Sequence, residues 1–425
     1  MVDLAQRSVS AVWHPCTQMK QHERVPPVAI DKAEGAWLYH SNGRRMLDAI
    51  SSWWVNLLGH GHPDIKAALR DQLEKLEHVM LAGLTHEPVV LLSERLAGLA
   101  PGDLGHCSYA SDGASAVEIA LKMSFHCWAN RGKREKKRFA MLENGYHGET
   151  LGALSVTDVP LFRSVYAPLL AAVDRLPTPA PRAGESRGAA AERAAAALGQ
   201  HLERHAEDTA ALIVEPLVQC AGGMAMHDAG YLRAARELCT RFGVHLIADE
   251  IAVGFGRTGT LFACEQAAVV PDFLCLSKGI TGGYLPLSVV MTRPEVYAAF
   301  YDERADRGFL HSHSYSGNPL ACRAALAVLD VLERDQVLAR NRETIDWTNR
   351  RCDALRARRG VCNFRNTGMI WAFELAHPDP QFSERARAAG VLLRPLGDTV
   401  YWMPPYCVGI EEMDFLVDAV EKLLP

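Results

Sequence analysis

The sequence predicts an α/β protein with a large, mostly parallel sheet covered by helices, and a smaller α+β unit. Short, nearly continuous apolar runs alternate with helical patterns through the middle of the chain, which is typical of parallel strands buried on both faces. The last third changes character, and 369–375 and 400–405 are predicted as strands of the smaller unit. Residues 37–50 are predicted to form a hairpin that turns at Asn42-Gly43 and packs near that unit.

Apolar runs supply the predicted strands of the large sheet, and periodic patterns between them supply its helices. The strands are predicted at 107–111, 138–142, 211–215, 244–248, 273–277 and 287–291. The helices are predicted at 63–79, 114–130, 229–242, 319–334 and 336–358, with an exposed Ala- and Arg-rich helix inside 179–210. We therefore expect a large domain over 60–315 and a small domain built from both termini, 1–59 and 316–425.

The composition is that of an ordinary globular protein with a large core. Of 425 residues, 48% are hydrophobic and 22% are charged, and the formal net charge is −5. This balance predicts neither a nucleic-acid nor a membrane partner, and no apolar run is long enough to span a bilayer. The one basic cluster, 131–138, is predicted to be a solvated helix end.

Cysteine usage and the absence of common motifs narrow the class of protein further. Eleven cysteines occur without C-x-x-C spacing, and no secretory signal precedes them. This predicts a reducing, cytoplasmic compartment in which most thiols are structural. The patterns H-E-x-x-H and G-x-x-x-x-G-K-[ST] are absent, so the sequence predicts no metal site and no P-loop.

Polar residues and glycines follow the carboxyl ends of four predicted strands, the edge at which open α/β sheets bind ligands. These residues are Asp112-Gly113-Ala114-Ser115 after 107–111, Tyr146 after 138–142, Asp249 after 244–248 and Lys278 after 273–277. We expect them to gather at one edge as a helix N-terminus, an aromatic ring, an acid and a lysine.

This combination suits pyridoxal phosphate, which needs a lysine for an imine, an acid beside its ring nitrogen, an anion site and a flat contact on its ring. Lys278 is the candidate for the imine, because a partly desolvated amine near another positive charge is neutral enough to attack an aldehyde. Asp249 is the candidate for the ring nitrogen, since a carboxylate there stabilises the protonated ring. Gly113 and Ala114 open a helix whose free N–H groups favour phosphate, and Tyr146 is the candidate for the ring contact.

Each of these residues taken alone also has an ordinary structural interpretation. Lys278 could be a surface lysine after a strand, and Asp249 could be a loop or N-cap carboxylate. The helix start could be capped by Asp112 or Ser111 alone, and Tyr146 could be a core aromatic. Their joint placement at strand ends favours the cofactor site.

The segment 254-GFGRTG-259 also fits the dinucleotide pattern G-x-G-x-x-G, but its surroundings do not. That fingerprint needs its glycines directly after a strand and an acid about 20 residues further on. Here Asp249 to Val253 intervene, and 274–279 holds no acid. The segment is therefore predicted to be a loop that lets Asp249 project under a cofactor.

The residues around Asp249 and Lys278 resemble the class III, or omega, aminotransferases. The motifs that carry this resemblance are Asp249-Glu250, 254-GFGRTG-259 and 276-LSKGITGGYLPLS-288, and the similarity extends over roughly 12–425. The chain resembles more closely those members that aminate 8-amino-7-oxononanoate in biotin synthesis. The segments that carry this closer resemblance are 13-WHPCTQM-19, 51-SSWWVNLLGHGHP-63, 144-NGYHGETLGALSV-156, 215-EPLVQCAGGM-224, 317-GNPLAC-322 and 391-VLLRPLGDTVYWMPPY-406.

The resemblance implies the aspartate-aminotransferase-like fold type I of pyridoxal-phosphate-dependent transferases, in a homodimer with active sites at the subunit interface. By position it assigns Lys278 to the Schiff base, Asp249 to the ring nitrogen and Tyr146 to cofactor and substrate. Gly113 and Ala114 match the phosphate-binding pair. The second residue of that pair is usually Ser in the family, and Ala keeps the backbone donor while losing the hydroxyl.

The resemblance also implies contacts from the substrate side and from a second subunit. A loop with Ser312, His313 and Ser314 matches one that reaches the other subunit's cofactor. Ser314 stands where the family often has a phosphate-binding Thr, and Ser312 replaces a frequent Gly. Trp53 and Trp54 match the wall of the substrate pocket.

Two further matches concern the substrates themselves. Arg394 matches the partner of the keto-acid carboxylate, a role that suits a bidentate guanidinium, with a structural ion pair as the alternative. Cys16 lies where the family commonly has an aromatic residue that contacts substrate and stacks on the adenine of S-adenosylmethionine. Because Cys has no stacking face, two donors stay open: S-adenosylmethionine, which the tryptophan pair favours, and lysine, which related enzymes use.

We therefore predict amino transfer to 8-amino-7-oxononanoate, giving 7,8-diaminononanoate, with pyridoxal phosphate as cofactor. A general omega-amino acid:pyruvate aminotransferase, which accepts β-alanine or a simple diamine, is the alternative within the family. An aminomutase on the same scaffold needs no external acceptor and returns an isomer. A cofactor-binding regulator normally carries a DNA-reading helix, which the sequence does not supply.

Overall fold

The structure is a computed structural model that describes residues 3–424. Its strands in chain order are β1 (Ile30–Glu34), β2 (Trp37–His40), β3 (Arg45–Asp48), β4 (His106–Ala110), β5 (Arg138–Leu142), β6 (Asp174–Leu176), β7 (Thr209–Val214), β8 (Val218–Gln219), β9 (Ala225–Met226), β10 (His245–Asp249), β11 (Phe273–Leu276), β12 (Ser288–Thr292), β13 (Val361–Thr367), β14 (Ile370–Leu375), β15 (Val391–Leu392) and β16 (Thr399–Trp402). Its right-handed α-helices are Leu4–Ala11, Pro63–Leu73, Glu87–Leu99, Gly113–Asn130, Leu151–Ser155, Pro160–Arg163, Arg187–His205, Ala229–Phe242, Pro294–Ala298, Pro319–Arg334, Val337–Arg351, Asp353–Arg356, Phe382–Ala388 and Ile410–Leu423.

A seven-stranded sheet in the order β4-β12-β11-β10-β7-β5-β6 forms the centre of the molecule. The strands β11, β10, β7, β5 and β6 pair in parallel, and β12 runs antiparallel to both β11 and β4. Successive residues of β10 enter two different cores, with Leu246 and Ala248 in one and Ile247 in the other. The strand is buried on both faces because helices cover both sides of the sheet. The predicted α/β fold with a mostly parallel sheet is confirmed.

All six strands that the sequence predicts for this sheet are present, with ends that differ by at most two residues. The sequence does not predict β6, because its three residues at the sheet edge are too few to show a period. The hairpin is also confirmed, since β2 and β3 pair antiparallel around Asn42-Gly43.

Two predicted helices have wrong ends. The pattern at 63–79 gives a helix that stops at Leu73, where the buried Gln72 side chain donates to the Leu76 carbonyl in a turn. The pattern at 336–358 is split at Cys352 into two helices. The helices predicted at 229–242 and 319–334 are confirmed, because caps and apolar faces mark both ends.

Three smaller sheets accompany the large one, in the orders β1-β2-β3-β15, β13-β14-β16 and β8-β9. In the first, β15 pairs in parallel with β3, so that Leu392 lies beside Asp48. This strand pair joins the beginning of the chain to its last third. The division into domains at 60–315 and at 1–59 with 316–425 stays a prediction. Within residues 3–424 no helix is both long and apolar enough to cross a membrane.

Candidate active site

A cavity of about 280 Å³ lies at the carboxyl ends of the parallel strands. It is lined by Trp54, Asp112, Gly113, Ala114, Tyr146, His147, Gly148, Glu149, Glu215, Asp249, Ile251, Ala252 and Lys278. The structure thus brings together all the residues that the strand ends predict as cofactor contacts. The sheet topology explains this, because β4, β5, β7, β10 and β11 all end at this edge.

The helix Gly113–Asn130 begins at the cavity and points backbone donors into it. Asp112 caps the helix, because its carboxylate accepts bonds from Ser115 N at 2.9 Å and Ser115 Oγ at 2.8 Å. Within residues 3–424, the N–H groups of Gly113 and Ala114 have no acceptor. Ordinary capping and two free donors therefore coexist at this helix start. Free N–H groups at the positive end of an 18-residue helix favour an anion such as phosphate.

Asp249, the last residue of β10, is buried beside a histidine that the sequence analysis does not single out. Oδ2 of Asp249 accepts a hydrogen bond from Nδ1 of His147 at 2.7 Å, and Oδ1 accepts one from the Ile251 N–H at 3.0 Å. The backbone N–H of His147 donates to Thr157 Oγ1 at 2.9 Å. The carboxylate is thus oriented from two sides. The available signal was the position of His147, directly after Tyr146 and close behind a strand.

Glu215, directly after β7, is a second buried acid in the cavity that the sequence analysis misses. Its Oε2 accepts from the Tyr146 N–H at 2.9 Å, and its Oε1 accepts from the Cys220 N–H at 3.0 Å. Burial raises the pKa of Glu215 to about 7; nearby His147 lowers it and Asp249 raises it. Its position directly after a predicted strand could have identified it as a site residue. The segment 215–224 was used only as evidence for the family resemblance.

Lys278 follows β11, opens a short 3₁₀ turn and has a left-handed φ of 43°. Burial lowers the pKa of its ammonium, while Cys220, Asp249 and Glu215 raise it. The expectation of a neighbouring cation is therefore wrong, since the groups that act on the lysine are acids and a thiol. Burial is what makes the amine easier to deprotonate, because the charged form loses its water.

The segment Ser51–Trp54 is a left-handed turn that places Trp54 in the wall of the cavity. The φ angles of its four residues are 50°, 45°, 75° and 72°. Because this conformation costs an L-residue about 1–2 kcal/mol, surrounding contacts must hold the turn in place. The turn brings the ring of Trp54 to 4.7 Å from Nζ of Lys278, measured to the ring centroid. The indole Nε1 donates to the hydroxyl of Tyr401 at 3.1 Å.

Arg394 lies beside the same turn, outside the cavity lining. Its guanidinium carbon is 4.7 Å from the centroid of Trp53, and its Nη2 donates to the Cys16 carbonyl at 2.6 Å. Among residues 3–424 no carboxylate pairs with Arg394, so the structural ion pair is not observed. Cys16 has an exposed side chain, and it contacts Arg394 through its backbone.

Tyr146 is half-buried at the mouth of the cavity. Its hydroxyl donates to Oε1 of Glu149 at 2.9 Å, and its ring packs edge-on against Phe162 with centroids 5.5 Å apart. Burial raises the pKa of Tyr146, and Glu149 adds to the shift. The Tyr146 hydroxyl therefore stays protonated. Its ring forms an aromatic wall of the cavity and is not part of the closed core.

Ser312, His313 and Ser314 do not line the cavity of their own chain. They lie on a loop in which both serines are exposed. The Nε2 atoms of His313 and His311 are 3.1 Å apart, and Nδ1 of His311 is 2.8 Å from Nζ of Lys122. Within one chain, residues 312–314 therefore do not reach the cavity that contains Lys278.

The residues at the cavity fit pyridoxal phosphate. Two glycines keep the helix start open, because a Cβ on Gly113 would lie 2.9 Å from Ile251 Cγ2 and one on Gly148 would lie 2.5 Å from Ala114 Cβ. The free N–H groups suit the phosphate, and the buried Asp249 suits a protonated ring nitrogen. An amine with a lowered pKa suits an aldehyde.

Comparisons with known proteins agree with this chemistry. The aminotransferase class-III family model matches residues 18–424. The adenosylmethionine-8-amino-7-oxononanoate aminotransferase of Helicobacter pylori is 45% identical to this chain, over 99% of the chain and 98% of that relative. The crystal structure of the enzyme of that name from Methanocaldococcus jannaschii matches with a TM-score of 0.94 at 32% identity, covering 99% of this chain and 98% of that one.

A third match concerns the cofactor. An amine transaminase from an uncultivated Pseudomonas species, solved in its pyridoxal-phosphate-bound form, has a TM-score of 0.91 and 32% identity, covering 97% of this chain and 98% of that one. The fold is thus that of the pyridoxal-phosphate-dependent transferases, as the sequence predicts. The chain belongs to the class-III aminotransferases, a family that depends on pyridoxal phosphate.

Proposed function

We propose that this aminotransferase converts 8-amino-7-oxononanoate to 7,8-diaminononanoate in biotin synthesis, with S-adenosylmethionine as the amino donor. The observation that carries the proposal is the 45% identity, over 99% of the chain, to a relative named for both compounds. The tryptophan pair beside Lys278 and Arg394 supports it, because it provides apolar walls between an amine and a guanidinium.

When bound, pyridoxal phosphate supplies an aldehyde that carries the amino group and a ring that takes up the electron pair released at the substrate carbon. In the proposed mechanism, Gly113 and Ala114 hold the phosphate through their N–H groups. Asp249, oriented by His147, keeps the ring nitrogen protonated. Tyr146 covers the mouth of the cavity and excludes water from the reacting atoms.

Lys278 is the proposed proton carrier. Its Nζ removes a proton from the amine-bearing carbon of the donor and, in the second half of the reaction, gives a proton to the former keto carbon of the acceptor. The amine must be neutral for the first step and charged for the second. Burial lowers the pKa of this amine, which favours the neutral form that the first step needs, and Cys220, Asp249 and Glu215 oppose that shift.

The proposed carboxylate site lies at Arg394. The guanidinium is held over Trp53 and by the Cys16 carbonyl, and its remaining N–H groups are free to form a bidentate pair with the carboxylate of 8-amino-7-oxononanoate. The carbon chain of the acceptor then lies along Trp53 and Trp54, with the keto group towards Lys278.

We propose a homodimer in the cytoplasm. The loop with Ser312, His313 and Ser314 reaches the site of the partner subunit, where His313 and Ser314 contact the cofactor and Ser312 contacts the substrate. This accounts for an exposed polar loop with no role in its own cavity. Large exposed apolar side chains, among them Leu161, Val165 and Leu310, offer surface to cover. All eleven cysteines are free, the state that a reducing compartment maintains.

Lysine is the second candidate donor, with the same acceptor. The observation that favours it is Cys16, whose exposed side chain offers no face on which adenine could stack. A general omega-amino acid:pyruvate aminotransferase instead predicts turnover of β-alanine or a simple diamine.

A half-reaction separates these candidates. Purified protein is loaded with pyridoxal phosphate, one donor is added at a time, and the loss of its yellow absorbance is followed. Bleaching by S-adenosylmethionine and not by lysine supports the proposed donor. Bleaching by lysine alone overturns that donor and leaves the acceptor to be tested, and bleaching by β-alanine favours the general enzyme.

A further inference from the structure

The left-handed turn Ser51–Trp54 needs an explanation, because none of its residues is Gly, Asn or Asp, the types that adopt this conformation most readily. Two serines and two tryptophans hold positive φ angles in succession. Hydrogen bonds along the chain contribute only in part, through Trp54 N to the Ile50 carbonyl at 2.8 Å and Val55 N to the Ser51 carbonyl at 3.0 Å. A contact from outside the turn is required.

Asp48, the last residue of β3, provides that contact. Its side chain is fully buried, Oδ1 accepts from the Ser52 N–H at 2.8 Å, and Oδ2 accepts from Ser52 Oγ at 2.7 Å. Nε2 of His60 donates to the same Oδ2 at 3.0 Å. A second clamp comes from Ser51, whose Oγ donates to the Met403 carbonyl at 2.7 Å. One carboxylate therefore receives three donors, two of them from a single residue of the turn.

The turn faces both ends of the proposed substrate pocket at once. Trp54 lies over the Lys278 ammonium and Trp53 lies over the Arg394 guanidinium, each at 4.7 Å. The strand pair that contains Asp48 also positions Arg394, because Asp48 lies beside Leu392 and Arg394 follows two residues later. The distance between the reacting amine and the carboxylate site is thus set through this turn.

We propose that Asp48 is a positioning residue for the acceptor: by holding the left-handed turn, it sets Trp53 and Trp54 against Arg394 and Lys278. The identity of the acceptor rests on the proposed function, whereas the role of Asp48 in holding the two rings does not. Asp48 does not line the cavity and acts through Ser52.

The first test is fluorine NMR of cofactor-free protein labelled with 5-fluorotryptophan. The chain has eight tryptophans, and the signals of Trp53 and Trp54 are assigned with Trp53→Phe and Trp54→Phe. Asp48→Asn leaves one acceptor oxygen for three donors and turns an N–H₂ group towards them. We expect the two assigned signals to shift or broaden while the other six stay in place.

The second test is the split between KM and kcat. In Asp48→Asn we expect KM for 8-amino-7-oxononanoate to rise about tenfold with kcat changed less than about threefold, because substrate and transition state lose the same binding surface. The matched control is Asp272→Asn at the opposite edge of the sheet. Asp272 is also buried and accepts from the Leu246 N–H and from Arg236, both at 2.7 Å. The control is expected to lower Tm and to leave both signals and KM unchanged.

A second variant keeps the proposal testable if Asp48→Asn does not fold. Ser52→Gly folds without a left-handed penalty and loses only the Oγ bond to Asp48. We expect broadened Trp53 and Trp54 signals and a KM raised about threefold. Unmoved signals together with an unchanged KM, in whichever variant folds, would overturn the proposal and leave Asp48 a purely structural acid.

The outcomes also separate this inference from the proposed function. If the wild type does not use 8-amino-7-oxononanoate, the proposed function fails, and KM is measured with the keto acceptor that the enzyme does use. The fluorine signals need no substrate, so they still decide the role of Asp48.

Discussion

Lys278 combines a left-handed backbone with an ammonium whose pKa is lowered by burial. We predict that Lys278→Ala abolishes multiple turnover, because no other amine lines the cavity within residues 3–424. Turnover is measured with S-adenosylmethionine and 8-amino-7-oxononanoate. Lys422→Ala, on the C-terminal helix, is the control and should keep full activity. Multiple turnover by the Lys278→Ala protein without added amine would contradict the assignment.

Asp249 is predicted to matter more for catalysis than for folding. Asp249→Asn keeps one oxygen to accept from the Ile251 N–H, and its new N–H₂ group can donate to His147 if the imidazole changes tautomer, but an amide has no negative charge to stabilise a protonated ring nitrogen. We expect kcat to fall by about 100-fold or more and the free energy of unfolding to change by less than about 2 kcal/mol. Steady-state kinetics and urea unfolding measure the two. An equal loss in both would make Asp249 structural.

Glu215 predicts a pH dependence of stability. Its pKa is raised in the folded chain from 4.5 to about 7, so the folded state binds the proton more tightly. The associated stability is fully present below pH 4.5 and is lost as the pH rises through 7. At about 1.4 kcal/mol per pKa unit, the free energy of unfolding of the wild type should fall by about 3 kcal/mol more than that of Glu215→Gln over this pH range. Urea unfolding of cofactor-free protein between about pH 4 and about pH 8 checks this, and parallel curves would refute it.

At the scale of residues, the sequence predicts those whose position follows from a strand end. Lys278, Asp249 and Tyr146 meet because parallel strands share an edge, and that rule needs only the strand pattern. The bond between His147 and Asp249 depends on where two loops approach, which no local pattern encodes. The left-handed turn at Ser51–Trp54 cannot be predicted from the sequence for a similar reason. Serine and tryptophan do not favour this conformation, and hydrogen bonds to Asp48 hold it.

At the scale of elements, the start of helix Gly113–Asn130 is the proposed anion site. We predict that Gly113→Ala weakens cofactor binding about tenfold, because the new Cβ lies 2.9 Å from Ile251 Cγ2 and shifts the helix start. The dissociation constant is measured by titrating cofactor-free protein with pyridoxal phosphate. Gly188→Ala, where a Cβ meets nothing within 4 Å, is the control and should bind normally. Equal affinities would place the phosphate elsewhere.

Elements were predictable where length and periodicity agree. The helix 229–242 has an Asp cap, an apolar face and a C-terminal glycine, and its ends are correct. The helix predicted over 336–358 is interrupted at Cys352. The periodic sequence pattern continues through this residue, so the interruption comes from tertiary packing and not from the local sequence. The strand β15 has only two residues and owes its existence to β3, which lies far away in the sequence.

At the scale of the whole molecule, the proposed dimer shares its sites between subunits. We predict that a chain with Lys278→Ala and a chain with Ser314→Ala and His313→Ala restore each other when they are unfolded and refolded together. In the mixed dimer one site combines an intact lysine with an intact loop from the partner, so activity should recover to about half per dimer. Each variant refolded alone is the control. No recovery would mean that the loop does not act across the interface.

The pairing of β3 with β15 has a consequence for how the protein is made. Leu47 and Val391 are partners, so a ribosome must synthesise most of the chain before the strand that precedes Arg394 can find its neighbour. The seven central strands are all complete by Thr292, well before that point. A nascent chain can therefore bring Lys278, Asp249 and the start of helix Gly113–Asn130 together before Arg394, the proposed carboxylate-binding residue, has been synthesised. A protein truncated before Val391 should hold the cofactor end of the site and lack the means to choose its acceptor.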